Sequence, residues 1–416
     1  MKQDKEQGGI ITGVLVPRAL VARPDSFGGT VFADCLAGDL VLHEGRSVAL
    51  QPTDRAPERL VIPCLADPHV HLDKCHSIDR MAGVGGDLAT AIRAQLTDKA
   101  LWDGSDIRRR ASRGLLELVE AGCTAARSHV DWGDDPDPDT VPLAWEILGE
   151  LVTDAPAGFV LQRAALTDIV RLADPIYADR CAARVARDGG ILGAFVFDQT
   201  ERDAGLQNAF RAADRYGLAL DFHVDEGLAS NLDGLERIAD AALAAGFQGP
   251  VLCGHACSLA NLGAEDVARI ADKLVQAGIS VAALPQTNLY LQGRVGGTPD
   301  RRGLTRVHEL RDAGVSVVLG ADNVRDGFCP IGRHDPIHTL SLAVLAAHLD
   351  PPFDAHLPMI TTGARRALGL APQTVDGAAV GDLLLFDVTS TSELLSGAAR
   401  PHPLSEHIGA AYDRNV

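Results

Sequence analysis

The sequence predicts an α/β chain: a (β/α)8 TIM-type barrel carrying a small β-domain made from both termini. Three observations lead there. Eight short apolar runs alternate with amphipathic stretches along most of the chain. Most of the amphipathic stretches end in glycine, the residue that closes a helix in the left-handed conformation. Several of the runs finish on an acid or an imidazole, and in a parallel barrel the strand C-termini share the active-site face. A doubly wound open sheet is the competing arrangement, but a count of eight strand-helix units suits the barrel. The 416 residues, 46% of them hydrophobic, supply ample material for one large core with an accessory domain.

In chain order, the strand-like runs fall at about 60–71, 123–131, 159–168, 191–198, 218–225, 250–256, 279–285 and 315–322. Each is a short apolar segment bounded by Gly and polar residues, which reads as a buried strand. Between them lie stretches with helical periodicity: ASRGLLELVEAG, DTVPLAWEILGELV, DRCAARVARDGG, LQNAFRAADRYG, GLERIADAALAAG, AEDVARIADKLVQAG and GLTRVHELRDAG. The flanks differ in texture. Residues 10–62 and about 375–390 are Val- and Leu-rich, with short period and intervening turn residues, as expected of small strands. The expected division is therefore a β-domain of residues 1–62 and 371–416 around a barrel of residues 63–370. The stretch RVGGTPDRRG at 294–303 is expected to be a mobile loop over the barrel mouth.

Charge and cysteine usage narrow the function classes. With 38 Lys and Arg against 56 Asp and Glu, the formal net charge is -18, and no cluster of basic residues offers a phosphate-binding surface. Nucleic acid is excluded as a partner, leaving small molecules and further copies of the chain, as a homo-oligomer. Eight cysteines are scattered without the short spacing of a disulfide framework, so they are expected to be reduced thiols. No apolar stretch follows the N-terminal charges, and no window approaches the roughly 18 apolar residues of a membrane span. A cytoplasmic protein with no membrane partner is the expectation.

His69 and His71 in PHVHLDK lie two apart, so on a strand they face the same side and can share one ion. His223 in FHVDE and Asp322 in GADN stand at the ends of two other predicted strands. Together the four offer nitrogen and oxygen ligands of types that suit zinc or ferrous iron. Glu226 follows His223 closely, and its plain structural alternative is to cap the next helix, since acids suit helix N-termini. His255 in CGHAC has packing as its alternative role, and His129 in SHVD reads as support for a ligand rather than direct chemistry. His76, His334 and His338 sit near strand-end loops without a clear role.

The strings PHVHLDK, SHVDW, FHVDE, GHA, TNLYLQGR, TRVHEL and GADNV resemble the amidohydrolase superfamily, specifically its mononuclear cytosine deaminase branch. The resemblance runs from about residue 60 to LLLFDV near 387. It implies a (β/α)8 barrel, a small β-sandwich from the two termini, and one divalent metal ion, Zn or Fe(II). It also implies His69, His71, His223 and Asp322 as metal ligands, Glu226 as proton shuttle and His255 as the oxyanion or water-orienting group. The fourth predicted strand, ILGAFVFDQT, has no lysine to form the bridging carbamate of binuclear members, which favours a single ion.

A divalent ion lowers the pKa of bound water from about 15.7 toward about 7. Asp322 then accepts a proton from that water, Glu226 protonates a ring nitrogen and His255 donates to the tetrahedral oxygen. The expected reaction is hydrolytic deamination of an amino-substituted N-heterocycle related to cytosine, of pyrimidine, pterin or triazine type, through metal-bound hydroxide. Departures from the family pattern bear on the substrate. Asp168 stands where the family has Gln at the end of the third strand, and a carboxylate only accepts hydrogen bonds, so the substrate edge should present donors. Asn323 replaces a second Asp, Phe328 replaces a Trp that covers the pocket, and Lys74 replaces a Thr, as in amidohydrolases acting on N-alkylamino triazines. Lys74 either pairs with Asp73 or reaches a substrate oxygen. The alternatives are therefore release of an alkylamine from an N-alkylamino triazine, opening of a cyclic amide, or, remotely, a metal-free scaffold.

Overall fold

The computed structural model describes residues 8–133, 135–299, 302–397 and 399–407. In chain order its strands are β1 (Gly8–Pro17), β2 (Thr30–Phe32), β3 (Cys35–His43), β4 (Arg46–Gln51), β5 (Arg59–Pro63), β6 (Leu65–Val70), β7 (Cys123–Asp131), β8 (Val160–Asp168), β9 (Ile191–Val196), β10 (Leu220–Val224), β11 (Val251–His255), β12 (Ile279–Ala283), β13 (Val317–Leu319), β14 (Leu383–Phe386) and β15 (His402–Pro403). Strands β6 to β13 pair side by side in sequence order, all parallel, and helices connect them. The predicted eight-stranded barrel is present. At its seam, β6 meets the segment after β13 through a parallel bridge between Val70 and Asp322 and a bond from the Asp322 N–H to the His69 carbonyl at 2.8 Å.

The remaining strands form one seven-stranded sheet in the order β15-β14-β5-β1-β3-β2, with β4 also on β3. The two chain ends meet where β14 pairs antiparallel with β5. The run expected as a single strand at 60–71 is two. Cys64 divides it: β5 joins the terminal sheet, and β6 opens the barrel beside β7. The Cys64 N–H donates to the Asp382 carbonyl and the Leu65 N–H to the Gly122 carbonyl, so the hand-over costs no backbone bond. An unbroken apolar run carries no sign of a change of partner. Of the loop expected at 294–303, residues 300 and 301 lie outside the described residues, and 294–299 contain neither helix nor strand.

The helices follow the predicted stretches. The helices Arg202–Tyr216, Gly234–Ala245 and Ala264–Ala277 each close on a left-handed glycine, Gly217, Gly246 and Gly278. Inside the barrel, two glycines matter for sterics. A Cβ on Gly254 in β11 would lie 2.7 Å from His69 Cε1, and one on Gly320 would lie 2.7 Å from His69 Cβ. His69 occupies space that any larger residue would take. Gly254→Ala is expected to destabilise the protein by about 1–3 kcal/mol through overpacking. Gly381→Ala, where the new methyl meets nothing within 4 Å, should stay within about 0.5 kcal/mol of wild type; equal shifts in the urea midpoint would contradict the steric account.

Candidate active site and metal centre

The C-terminal ends of the barrel strands converge on a cleft of about 350 Å³. His69 lies on β6 and His71 directly after it, His223 on β10, His255 at the end of β11, and Asp322 three residues past β13. His71 Nε2 faces His223 Nε2 at 3.1 Å. Asp322 Oδ1 lies 3.5 Å from His69 Nε2 and 3.3 Å from His71 Nε2. All five residues are buried. His69, His255 and Asp322 present ligand atoms within 4.8 Å of one another, as do His69, His71, His129 and His223.

Backbone geometry aims these groups. Asp225, His255 and Asp322 hold φ of 49°, 71° and 58°, a left-handed region that costs a non-glycine residue roughly 1–3 kcal/mol. Strain collected at three strand ends of one face is a mark of a site held for its chemistry. The turn after β10 also separates two acids. The Asp225 carboxylate accepts the Gly234 and Leu235 N–H groups at the start of the next helix, while Glu226 lines the cleft. Capping, the plain alternative for Glu226, is therefore the work of its neighbour.

Burial dominates the electrostatics. It pushes His71 and His255 down to about 3 and His129 to about 4, and drives His223 well below the usual histidine range, where the neighbouring His69 adds to the effect. Neutral imidazoles result, each with a lone pair to offer. Burial also opposes ionisation of Asp322, but His69 and His71 outweigh it and keep its carboxyl well below its ordinary value. Glu226 goes the other way: burial, with Asp322 nearby, lifts it well above the usual glutamate value. The two acids are thus pushed apart, Asp322 toward the ionised form and Glu226 toward the protonated one.

Both ring nitrogens of His69, both carboxylate oxygens of Asp322 and Nδ1 of His71 and His223 are buried without a hydrogen-bond partner. Buried polar atoms are rarely left so, and His69 Nε2 and Asp322 Oδ1, two of these orphans facing one another beside His71 Nε2, fit a divalent ion. His129 stacks against His69 at 4.0 Å between ring centroids, and its Nε2 lies 2.9 Å from Asp221 Oδ1. Arg127 NH1 holds the other oxygen of Asp221 at 2.7 Å. Burial works against the charge on Asp221, yet His129 and Arg127 hold it ionised. His129 thus supports the cluster from behind.

Around the cleft, Asp168 ends β8 and lines the wall, with its Oδ1 accepting the Val170 N–H at 3.0 Å. Asn323 lines the cleft and donates to Asp326 Oδ2 at 2.7 Å. Lys74 is buried; its Nζ lies 2.7 Å from Asp131 Oδ1, 3.9 Å from Asp73 Oδ2 and 5.6 Å from the centre of the Phe328 ring. Burial disfavours the lysine charge, but the carboxylates of Asp131 and Asp73 overcome it and raise its pKa. The closer partner is Asp131, which sequence reasoning passed over although it stands two residues beyond His129 on the same strand face. Asn288 was also missed as a site residue. Its amide nitrogen lies 3.1 Å from His255 Nδ1, and when it donates there the ring proton sits on Nε2, 3.8 Å from Glu226 Oε2. Leu88, Ile92 and Leu96 of the helix Leu88–Lys99, together with Phe195 and Phe197, form an apolar side of the cleft; the i, i+4, i+8 leucine and isoleucine spacing was the available signal.

The chain resembles known proteins in sequence and in fold. Residues 162–393 match the model of the amidohydrolase family. The chain is 33% identical over 428 aligned positions to a pterin deaminase of Rhizobium rhizogenes, covering 98% of this chain and 94% of that protein. Among solved structures it resembles 5-methylcytosine deaminase from Klebsiella pneumoniae with bound 5-fluorocytosine, at 25% identity and TM-score 0.76, covering 95% of this chain and 96% of that one. N-isopropylammelide isopropylaminohydrolase from Burkholderia multivorans shares the fold at 22% identity and TM-score 0.69, covering 95% and 97% of the two chains. The chain belongs to the amidohydrolase family, in its cytosine deaminase-like branch.

Proposed function

We propose that this protein is a metal-dependent aminohydrolase that removes ammonia from an amino-substituted nitrogen heterocycle, with a pterin-type or isocytosine-type ring as the favoured substrate. The observation that carries the reading is the buried cluster of His69, His71, His223 and Asp322 at the floor of the cleft that Glu226 lines. Those four residues would hold one divalent ion, zinc or ferrous iron, with nitrogen and oxygen donors that suit either. When bound, such an ion supplies hydroxide at neutral pH, because it lowers the pKa of bound water to about 7.

The chain's own groups do the rest. Asp322, ionised, accepts the proton of the attacking water. Glu226, kept protonated by its buried setting, gives its proton to a ring nitrogen and makes the amine-bearing carbon electrophilic. His255, with its proton on Nε2, donates to the water-derived oxygen and orients it toward the amine-bearing carbon. Asn288 positions His255 by fixing that tautomer. Collapse of the tetrahedral species forms the C=O bond and breaks the C–N bond: the proton taken up by Asp322 passes to the amine, which leaves as ammonia, and the hydroxyl proton returns to Glu226.

Asp168 supports the choice of ring. Its carboxylate accepts and cannot donate, so it suits an edge with an N–H beside an NH2. The whole-length identity to a pterin deaminase points the same way. A second reading, amine release from an N-alkylamino triazine, draws on the apolar side made by Leu88, Ile92 and Leu96, which would receive an alkyl group. Ammonia release measured over cytosine, isocytosine, a pterin, ammelide and an N-alkyl ammelide separates the two. The proposal expects ammonia, fastest from a ring with a donor-donor edge; an alkylamine as the sole product rejects it.

Three further outcomes are expected. Glu226→Gln should lower kcat by about 10²- to 10⁴-fold while bound metal, read by mass spectrometry, stays at the wild-type level. Loss of metal in that variant would make Glu226 a ligand instead. Asp168→Gln should move preference toward cytosine, seen as a rise in the ratio of kcat/KM for cytosine to that for isocytosine. Stripping the protein with a strong chelator should abolish turnover, and zinc or ferrous iron should restore it; activity that survives stripping contradicts the mechanism.

A further inference from the structure

Outside the cleft, three side chains from separate elements meet at the barrel seam. His76 comes from the loop that follows His71, Glu117 from the helix Gly104–Glu120, and His334 from the segment that follows Asp322 and precedes the helix Pro336–Ala347. His76 Nε2 lies 3.3 Å from Glu117 Oε1, and His334 Nδ1 lies 3.1 Å from Glu117 Oε2. The imidazoles are buried, with 2% and 0% of their side chains exposed. Ligand atoms from all three residues lie within 4.8 Å of one another.

We propose that His76, Glu117 and His334 form a second divalent-cation site, selective for zinc-like ions, that clamps the seam between the first and last barrel strands. A simple hydrogen-bonded bridge through Glu117 accounts for part of the cluster, since His334 Nδ1 and Glu117 Oε2 are suitably aligned. It does not account for His76. Neither of its ring nitrogens makes a hydrogen bond although both are buried, and its backbone is held at φ 57°. A buried imidazole facing a carboxylate without an aligned bond is arranged for a third body that both can ligate. Separations of about 3.3 Å are those of two ligands each about 2.0–2.1 Å from a tetrahedral ion. Two imidazoles and one carboxylate are a known zinc donor set that leaves a position for water. The nearby cation is Arg113, whose Nε lies 3.7 Å from Glu117 Oε1 and whose side chain is 54% exposed, so it can swing out to solvent.

Location gives the site its role. Among the described residues the sheet ladder between β6 and β13 is reduced to the bridge of Val70 with Asp322. The loops carrying His76 and His334 extend from the two sides of that bridge. An ion between them ties the element bearing His69 and His71 to the one bearing Asp322, without touching the cleft.

Zinc stoichiometry per chain, measured by elemental mass spectrometry after stripping and reloading the full-length protein, tests this. His334→Ala and His76→Gln are each expected to lower the count by one, and His223→Ala should leave the seam ion in place. X-ray absorption of zinc-loaded His223→Ala should show imidazole and oxygen ligands. An ion lost with His334 or His76 but retained in His223→Ala supports the seam site whatever the cleft does. A count unchanged in both folded variants, checked by circular dichroism, overturns it. If His334→Ala does not fold, the count in His76→Gln together with the absorption spectrum of His223→Ala decides.

Discussion

Everything in this molecule turns on keeping imidazoles and a carboxylate face to face where water does not reach. Desolvation pushes His71, His223 and His255 toward the neutral form, while His69 and His71 hold the Asp322 carboxyl well below its ordinary value. A cluster of lone pairs around one carboxylate, with both ring nitrogens of His69 and both oxygens of Asp322 denied a hydrogen bond, is costly to bury. A cation at the centre, as proposed above, would offset that cost. That requirement explains why small residues surround His69, why three strand ends accept left-handed backbone, and why Arg127 and Asp221 brace His129 from behind.

The barrel meets the requirement through its seam. The Asp322 N–H bonds to the His69 carbonyl, so the first strand and the segment after the last are joined at two of the proposed ligands. Asp67 reinforces the join, its carboxylate accepting the N–H groups of His69 and Ala321. Burial lifts Asp67 to about 7, against the pull of those two bonds. Acid and imidazole chemistry in the cleft is thus inseparable from how the sheet closes. The terminal sheet is coupled to the same place, because Cys64 passes the chain directly from β5 to β6.

Much of this was legible in the sequence, for identifiable reasons. The eight strands are short, apolar and bounded by turn residues, and helices such as Ala264–Ala277 have a strict apolar stripe ended by glycine, so local pattern and fold agree. His69 and His71 were legible because a spacing of two on a strand fixes a shared face. Three things were not. The break at Cys64 depends on which strand lies alongside, a tertiary fact that an apolar run does not encode. The pairing of Lys74 with Asp131 joins the turn after β6 to the end of β7, and only adjacency in space ranks Asp131 above the sequence neighbour Asp73. The meeting of His76, Glu117 and His334 spans more than half the chain, and no single string contains it.

The claim that carries the account is that the floor of the cleft is a metal centre. Anomalous diffraction at the zinc edge from crystals of the reloaded protein tests it most directly. The account predicts a peak enclosed by the side chains of His69, His71, His223 and Asp322, with Glu226 and His255 facing it but not bound. A cleft without anomalous density, in which those four side chains hydrogen-bond to water or to one another, would contradict it.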